Sequence, residues 1–370
     1  MTSPTVDQAD RLARSVLSRR LGLRPKENVM IESYPSSIPW ASGFVREARR
    51  MGARPILYYE DEASYWTAVE EGHGSIVGSP GSHEWGALEE TDVYIYFWGP
   101  EDLARRARLG DEEQEELVAF NRQWYEVARK AGVRGARMSI ARVTEPNAKF
   151  WGVPIGAWRE EVYAASLNDP SKLRADADRI RRAFENGREL RLRHPNGTDL
   201  TLGLAHRPVQ VTLGMVTPEG RKTPFGSMIN VPDGTVYVSV DESTADGTFV
   251  ANLPTTTNAH RLEGGRFTFE DGHLTGHRFR KGAATFGADY KAAGAGRDRP
   301  SFIEVGLDPS ARRAPGIEEV VRGAVTVGIG GNAGFGGKTK LDFLSYLTVA
   351  GGELSVDGRP LVRGGQVVRR

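Results

Sequence analysis

The sequence contains no cysteine, so disulfide bonds, thiolate catalysis and cysteine-ligated metal sites are excluded. It also lacks an apolar run long enough to span a bilayer, and its N-terminus lacks the apolar core of a signal peptide. Lysine and arginine number 49 and aspartate and glutamate 48, so the net charge of +1 gives no overall field that attracts nucleic acid or an anionic membrane. These absences predict a cytoplasmic globular protein without nucleic-acid or membrane partners.

Three common motifs of α/β enzymes are missing or incomplete. No G-x-S-x-G nucleophile elbow occurs, which removes the commonest signature of α/β serine hydrolases. The segment Gly336–Thr339 ends like a phosphate-binding loop, but Asn332 stands where that loop needs its first glycine. The glycines from Gly72 onward have Val77 in place of the third glycine of a dinucleotide fingerprint. The sequence therefore does not predict nucleotide binding.

The pattern of elements predicts two domains in the 370 residues. Strands and helices alternate up to about residue 185, which is typical of a doubly wound α/β domain with a parallel sheet. From Glu189 onward short strands are joined by turn sequences such as Pro195-Asn-Gly, Glu270-Asp-Gly and Val356-Asp-Gly. We therefore expect an α/β domain at residues 1–185 and a mostly antiparallel β domain, carrying the site, at residues 186–370.

The stretch Gly323–Phe343 is unusually rich in glycine and lies between two predicted strands. Glycine weakens a sheet, so its density here indicates close approach of the backbone to a ligand or to another strand. Lys338, Lys340 and Asp342 alternate along the chain and would face one side of an extended segment. This charged row is the best candidate site in the sequence, and a solvated hairpin with surface charges is the alternative.

Three segments together resemble the thermophilic metallo-aminopeptidases of the aminopeptidase T and S type. The first begins Asn230-Val-Pro-Asp-Gly-Thr-Val-Tyr-Val, the second is Phe267-Thr-Phe-Glu-Asp-Gly-His, and the third is Phe302-Ile-Glu-Val-Gly-Leu-Asp-Pro with the glycine-rich stretch. The resemblance implies a two-domain protein that forms a homodimer and holds its site in the β-rich domain. It also implies a peptidase that uses two divalent metal ions.

Most of the metal ligands that the resemblance implies are replaced in this chain. Thr235 stands in place of a glutamate, Thr326 in place of a histidine and Lys340 in place of a second histidine, while Glu304 and Asp342 are retained. A dinuclear site needs several carboxylate and imidazole ligands, so two carboxylates do not hold two ions. We therefore expect no metal and no cofactor, unless the ligands of a conventional metal-dependent aminopeptidase lie elsewhere in the sequence.

These replacements lead to a specific hypothesis about the site. Lys340 would supply the positive charge of the lost metal, Glu304 and Asp342 would converge on its ammonium group, and the three would be catalytic. The expected activity is metal-independent hydrolysis of a small amide or peptide-derived substrate, and a non-catalytic binding or assembly protein of the same fold is the alternative. The residues predicted to bind substrate are Thr235, Thr326, Asn332, Lys338 and His206.

Overall fold

The computed structural model describes residues 3–71, 81–99, 102–110, 123–222, 226–257 and 259–368. The chain forms two compact units, one of Met1–Leu167 with Gly214–Pro232 and one of Asn168–Leu213 with Asp233–Arg370. The first boundary between the units lies after Leu167, not at residue 185. That the chain folds as two domains divided at residue 185 stays a prediction. Within the described ranges, no helix is both long and apolar enough to cross a membrane.

The first unit is built on a five-stranded, all-parallel sheet. Its strands are β1 (Asn28–Ser33), β2 (Arg54–Tyr59), β3 (Val93–Phe97), β4 (Arg134–Met138) and β8 (Met228–Val231). They lie in the order β2-β1-β3-β4-β8. The chain passes from β1 to β2 on one side and then to β3 on the other, so the winding reverses between β1 and β3. The predicted doubly wound α/β architecture is confirmed.

Helices connect these strands, as the alternating pattern predicts. Thr5 caps the first helix, because its hydroxyl accepts a hydrogen bond from the Gln8 amide while the Gln8 side chain accepts one from the Thr5 amide. Residues 123–131 are also helical, and the rest of the long helix predicted at residues 112–131 lies outside the described residues. The helices are α1 (Val6–Arg14, continued as a π-helix over Ser15–Arg20), α2 (Ile38–Arg50), α3 (Glu62–Glu70), α4 (Ser82–Glu89), α5 (Leu103–Arg106), α6 (Glu145–Trp151) and α7 (Ile155–Ser166).

The strand β8 reaches the first sheet from a distant part of the sequence. The segment Gly214–Pro232 that carries it is held by the buried guanidinium group of Arg20, which donates hydrogen bonds to the carbonyl oxygens of Gly214 (3.0 Å) and Ser166 (3.1 Å). The amide of Val216 in turn donates to the Arg20 carbonyl oxygen (3.0 Å). A parallel neighbour for β4 is thereby supplied by residues that follow β4 by about ninety positions in sequence.

The second unit consists mainly of antiparallel strands in an eight-stranded sheet, a five-stranded sheet and a two-stranded ribbon. The strands are β5 (Glu189–His194), β6 (Thr198–Gly203), β7 (Gln210–Thr212), β9 (Thr235–Ser239), β10 (Asp246–Val250), β11 (Thr255–Thr257), β12 (His260–Leu262), β13 (Arg266–Glu270), β14 (His273–Arg278), β15 (Pro300–Gly306), β16 (Val325–Gly330), β17 (Leu344–Val349), β18 (Glu353–Val356), β19 (Arg359–Arg363) and β20 (Gln366–Val367), with helices α8 (Arg174–Asn186) and α9 (Ala283–Ala292).

The order of the eight-stranded sheet is β14-β13-β10-β6-β5-β18-β19-β20, that of the five-stranded sheet is β17-β16-β15-β9-β7, and β11 pairs with β12. The hairpins predicted at Asn196-Gly197, Asp271-Gly272 and Asp357-Gly358 join β5 to β6, β13 to β14 and β18 to β19. The predicted antiparallel β region is therefore confirmed.

The core of the second unit sets which face of the five-stranded sheet carries polar side chains. Val236 and Val238 of β9, Ile303 of β15, and Val325 and Val327 of β16 are fully buried members of one apolar cluster. Because side chains alternate along a strand, the residues between them point to the opposite face. That opposite face, which we call the Glu304 face, carries the candidate site.

Candidate functional site

A row of four side chains crosses the Glu304 face. Glu304 of β15 lies opposite Tyr237 of β9 on one side and Thr326 of β16 on the other, and Thr326 lies opposite Thr348 of β17. Residues directly opposite one another in antiparallel strands share a face, so the four side chains are neighbours. The structure thus brings together Glu304 and Thr326, which the sequence predicted as site residues.

Hydroxyl groups link Glu304 to a second carboxylate. Thr235 donates a hydrogen bond to Glu304, and its hydroxyl lies 2.9 Å from that of Thr212. Thr212 donates to a carboxylate oxygen of Asp233 at 2.8 Å. Thr235 is buried, so its role in this structure is to fix Glu304 rather than to stand free for a ligand.

Several carboxyl groups act on one another around Glu304. Burial, reinforced by the charge of Asp233 and opposed by the Thr235 hydrogen bond, raises the pKa of Glu304 to about 7. Burial also raises the pKa of Glu319, with the charges of Glu318, Glu304 and Asp233 acting in the same direction. Among the described residues, no lysine or arginine forms an ion pair with Glu304 or Glu319. The site therefore favours protonated carboxyl groups or a bound cation.

An aromatic wall stands beside the carboxyl groups. The ring of Phe302 lies 6.5 Å from that of Tyr237, 5.3 Å from that of Phe335 and 6.4 Å from that of Tyr346. Gly328 makes room for this wall, because a Cβ atom at that position would lie 2.4 Å from the Phe302 ring. The rings exclude water from one side of Glu304, which is consistent with its raised pKa.

A buried ion pair holds the glycine-rich loop that follows β16. The carboxylate of Glu242 pairs with the guanidinium group of Arg207 and accepts hydrogen bonds from the Asn332 side chain (2.8 Å) and the Lys338 amide (3.0 Å). The Asn332 side-chain oxygen in turn accepts from the Thr339 amide (2.8 Å). Burial alone would raise the pKa of Glu242, but these hydrogen bonds lower it to about 2, and the bond from Arg207 has the largest effect among them. Asn332, predicted to bind substrate, is used here to shape the loop.

The glycine-rich loop also lies against the chain that leads into β17. A Cβ atom at Gly331 would lie 2.0 Å from the carbonyl oxygen of Leu341, and the Gly331 amide donates to the Phe343 carbonyl oxygen at 2.8 Å. The glycine density was predicted to reflect close approach of the backbone either to a ligand or to another strand. The structure shows close approach to another segment of backbone, the one that leads into β17.

This contact gives a first testable expectation. Gly331→Ala should lower the free energy of unfolding by about 1–3 kcal/mol, because the backbone of Leu341 has to move away from the new methyl group. Gly334→Ala is the matched control, since nothing lies within 4 Å of a Cβ atom there. Urea titration of both variants measures the difference, and equal stability of the two would contradict the close approach.

The predicted convergence of Lys340, Glu304 and Asp342 is wrong. Lys340 and Asp342 are exposed, and among the described residues Lys340 forms no ion pair. The prediction assumed an extended segment, whereas β17 begins only at Leu344 and the residues before it form an irregular loop. The exposed Lys340 therefore does not pair with Glu304 or Asp342.

Two further predicted residues also lie in exposed positions. Lys338 contributes its backbone amide to the Glu242 carboxylate, and its side chain is exposed. His206 is exposed, adopts a left-handed backbone conformation with φ of 51°, and has its Nδ1 atom 3.3 Å from the Glu185 carbonyl oxygen.

Sequence reasoning missed several groups of the Glu304 face. Asp233, Glu319 and Tyr237 come from three separated segments, and no spacing rule connects them. The pKa of Tyr237 is raised to about 12, chiefly by burial and further by the charges of Glu304 and Asp233. Of these three residues, Asp233 could have been found from the sequence, because it lies in the Val-Pro-Asp-Gly segment that carries part of the family resemblance.

The residues present do not fit the two-metal centre that the resemblance implies. The hydroxyl of Thr235 donates to Glu304 and lies 2.9 Å from that of Thr212, the hydroxyls of Thr326 and Thr348 form a hydrogen bond (2.8 Å), and Lys340 is a cation. In the part of the chain that the structure describes, no group of three or more histidine, aspartate or glutamate side chains is placed to hold a metal ion. Thr235, Thr326 and Lys340 therefore do not supply the imidazole and carboxylate ligands that such a centre takes at their positions.

Comparison with known proteins confirms the predicted resemblance. The fold is that of a solved structure of AmpT from Thermus thermophilus, with a TM-score of 0.72 and 17% identity over 98% of this chain and 99% of that one. Residues 169–289 match the thermophilic metalloprotease (M29) family. A 2,5-dihydroxypyridine dioxygenase from Pseudomonas putida KT2440 has the same fold, with a TM-score of 0.61 and 16% identity over 99% of both chains. Comparison with curated protein sequences gives no match.

Proposed function

We propose that the protein is an aminopeptidase-like hydrolase that cleaves an amide bond in a small, peptide-derived substrate and uses carboxyl groups where its relatives use metal ions. The observation that carries this proposal is Glu304, which has a pKa of about 7, interacts with the charge of Glu319, and has no cation partner among the described residues. The family match over residues 169–289 supports the hydrolase class.

The carboxyl groups supply general acid–base chemistry at neutral pH. Two interacting carboxyl groups with raised pKa values share one proton, so one is ionised while the other is protonated. The ionised group accepts a proton from water as the water oxygen attacks the substrate carbonyl carbon, and the protonated group hydrogen-bonds the carbonyl oxygen. When the C–N bond breaks, the proton taken from water passes to the leaving amine, and the pair returns to its starting state.

Neighbouring side chains fit supporting roles in this reaction. Tyr237 keeps its proton at neutral pH, because its pKa is about 12, and its hydroxyl is suited to donate a hydrogen bond to the oxyanion. Thr235 orients Glu304. Lys338 remains a proposed substrate contact, and Lys340 and Asp342, which were predicted as catalytic, are proposed instead as substrate contacts on the exposed part of the loop. Lys340→Met should then raise KM without lowering kcat.

Assembly as a homodimer also remains a proposal, supported by the resemblance. Sedimentation of the purified protein at micromolar concentrations tests it directly, and a monomer across that range would contradict it.

The hydrolase proposal predicts a large and selective loss of activity. Glu304→Gln should reduce kcat toward amino-acid amides and p-nitroanilides by at least about 100-fold, because glutamine cannot take up a proton from water. The matched control is Glu270→Gln, which changes an exposed glutamate at the end of β13 in the same unit. Activity of the wild-type protein should survive dialysis against a chelator.

Two results would contradict the proposal. Stoichiometric zinc, manganese or iron in the purified protein, together with loss of activity after chelation, would indicate a conventional metal-dependent aminopeptidase. Unchanged kcat in Glu304→Gln would remove Glu304 from the chemistry, whatever the metal content.

A further inference from the structure

The first unit carries a second set of polar side chains that the hydrolase proposal does not use. Glu32 of β1, Tyr96 of β3 and Arg137 of β4 occupy equivalent positions on adjacent parallel strands. Residues paired in this way point to the same face of the sheet, and adjacent strands are about 4.8 Å apart. The three half-buried side chains therefore form one row near the carboxyl ends of their strands.

The position of this row is the usual ligand-binding place of its fold. The row crosses the point between β1 and β3 where the winding of the sheet reverses, and open α/β sheets bind ligands in the crevice outside the carboxyl ends of the strands at that point. The segments after β1 and β3 meet there, because a Cβ atom at Gly99 would lie 2.1 Å from the Tyr34 ring. The Tyr34 ring therefore packs against the segment that follows β3.

One end of the row is a carboxyl group that stays protonated. Glu32 accepts a short hydrogen bond from the hydroxyl of Tyr94, which is buried beneath the row. Burial, together with the charges of Glu60 and Glu84, raises the pKa of Glu32 to about 8 although the Tyr94 hydrogen bond opposes the shift. At neutral pH the Glu32 carboxyl group therefore both donates and accepts hydrogen bonds.

The other end of the row is a cation without an anion. The guanidinium carbon of Arg137 lies 5.1 Å from the centre of the Tyr125 ring and 5.8 Å from that of the Trp98 ring. Among the described residues it forms no hydrogen bond and no ion pair. Burial lowers the pKa of Arg137, and the nearby charge of Arg142 acts in the same direction. An arginine held between aromatic rings and lacking a carboxylate is suited to bind the anionic group of a ligand.

We propose that this crevice binds a small aromatic carboxylate, whose anionic group pairs with Arg137 and whose ring lies among Trp98, Tyr125 and Tyr34, while a polar substituent reaches Tyr96 and Glu32. The planar guanidinium group of Arg137 matches the planar shape of a carboxylate, and the charge of Arg142, whose guanidinium carbon lies 4.0 Å from the centre of the Trp98 ring, adds to the attraction for an anion. The aromatic walls match a planar apolar body. This site belongs to the first compact unit, whereas the Glu304 face belongs to the second.

Benzoate and its neutral isostere benzamide are probes that isolate the charge. We expect benzoate to bind the full chain at least tenfold more tightly than benzamide in isothermal titration calorimetry, and to change the tryptophan fluorescence. Arg137→Gln should abolish this preference for benzoate. Arg129→Gln, an exposed arginine in the nearby helical segment 123–131, is the matched control and should keep it.

A second anion and a second variant test the carboxylate and the aromatic wall separately. Phenyl phosphate in place of benzoate distinguishes a phosphate site from a carboxylate site, and tighter binding of phenyl phosphate would overturn the carboxylate assignment. Trp98→Phe keeps Arg137 but reduces the aromatic wall, so it should weaken benzoate binding severalfold. This variant still tests the site if Arg137→Gln does not fold. The proposal is overturned if wild-type protein shows no saturable benzoate binding at about 10 mM, or if Arg137→Gln binds benzoate as tightly as wild type.

Discussion

Glu242→Ala should lower the free energy of unfolding by about 3–5 kcal/mol, the largest stability effect we expect for a single substitution in the second unit. The side chains of Arg207 and Glu242 are only 8% and 15% exposed, so removing the carboxylate leaves the buried guanidinium charge with its hydrogen bond to the Val240 carbonyl oxygen but without a counter-charge. The same substitution removes the acceptor for the Asn332 side chain and the Lys338 amide, so the glycine-rich loop should become susceptible to proteolysis.

A surface ion pair supplies the control for this substitution. Glu185 pairs with Arg181 along α8, where the two side chains are 39% and 36% exposed, so Glu185→Ala should cost less than about 1 kcal/mol. The double variant Arg207→Met with Glu242→Leu should recover most of the stability lost in Glu242→Ala, because it leaves no buried charge unpaired. If Glu242→Ala costs no more than Glu185→Ala, the ion pair does not hold the loop.

Glu304→Gln should change how stability depends on pH, by up to about 3 kcal/mol. The folded protein holds the Glu304 proton up to a pKa of about 7, whereas the unfolded chain releases it near 4.5. The folded state therefore binds more protons than the unfolded state between these values, and the stability of the wild-type protein falls as the pH rises from 4.5 to 7. Each pKa unit corresponds to about 1.36 kcal/mol, and glutamine removes this loss because it does not ionise.

Paired denaturation curves at several pH values measure this effect. The difference in unfolding free energy between Glu304→Gln and wild type should grow in favour of the variant up to pH 7 and then level off. Glu270→Gln, at an exposed position, should show no such trend. A constant difference between pH 4.5 and 8 would mean that Glu304 is not held in its protonated form.

Local sequence signals predicted much of the fold because they act over a few residues. Asn196-Gly197 and Asp271-Gly272 specify tight turns, and the strands that flank them pair as expected. The parallel sheet followed from the alternation of strands and helices. The pairing of β8 with β4 was not predicted, because no local pattern reveals that residues 228–231 return to a sheet begun two hundred residues earlier.

The candidate site was predicted unevenly for a similar reason. Glu304 and Thr326 followed from motifs on neighbouring strands, and strand register brings them together. Lys340 and Asp342 were placed by assuming an extended backbone, and the loop departs from it. Glu319 and Asp233 reach Glu304 through tertiary packing, which a single sequence does not encode in any spacing.

The late return of β8 has a consequence for synthesis of the protein on the ribosome. The first unit begins at the N-terminus, yet its sheet is complete only after Val231 has left the exit tunnel. Until then β4 is an edge strand with unpaired backbone groups, while the strands β5, β6 and β7 of the second unit have already emerged. At that stage β5, β6 and β7 also lack their neighbours β18, β10 and β9. The nascent chain thus carries several open strand edges, so the interval before residue 231 is when it needs chaperone protection.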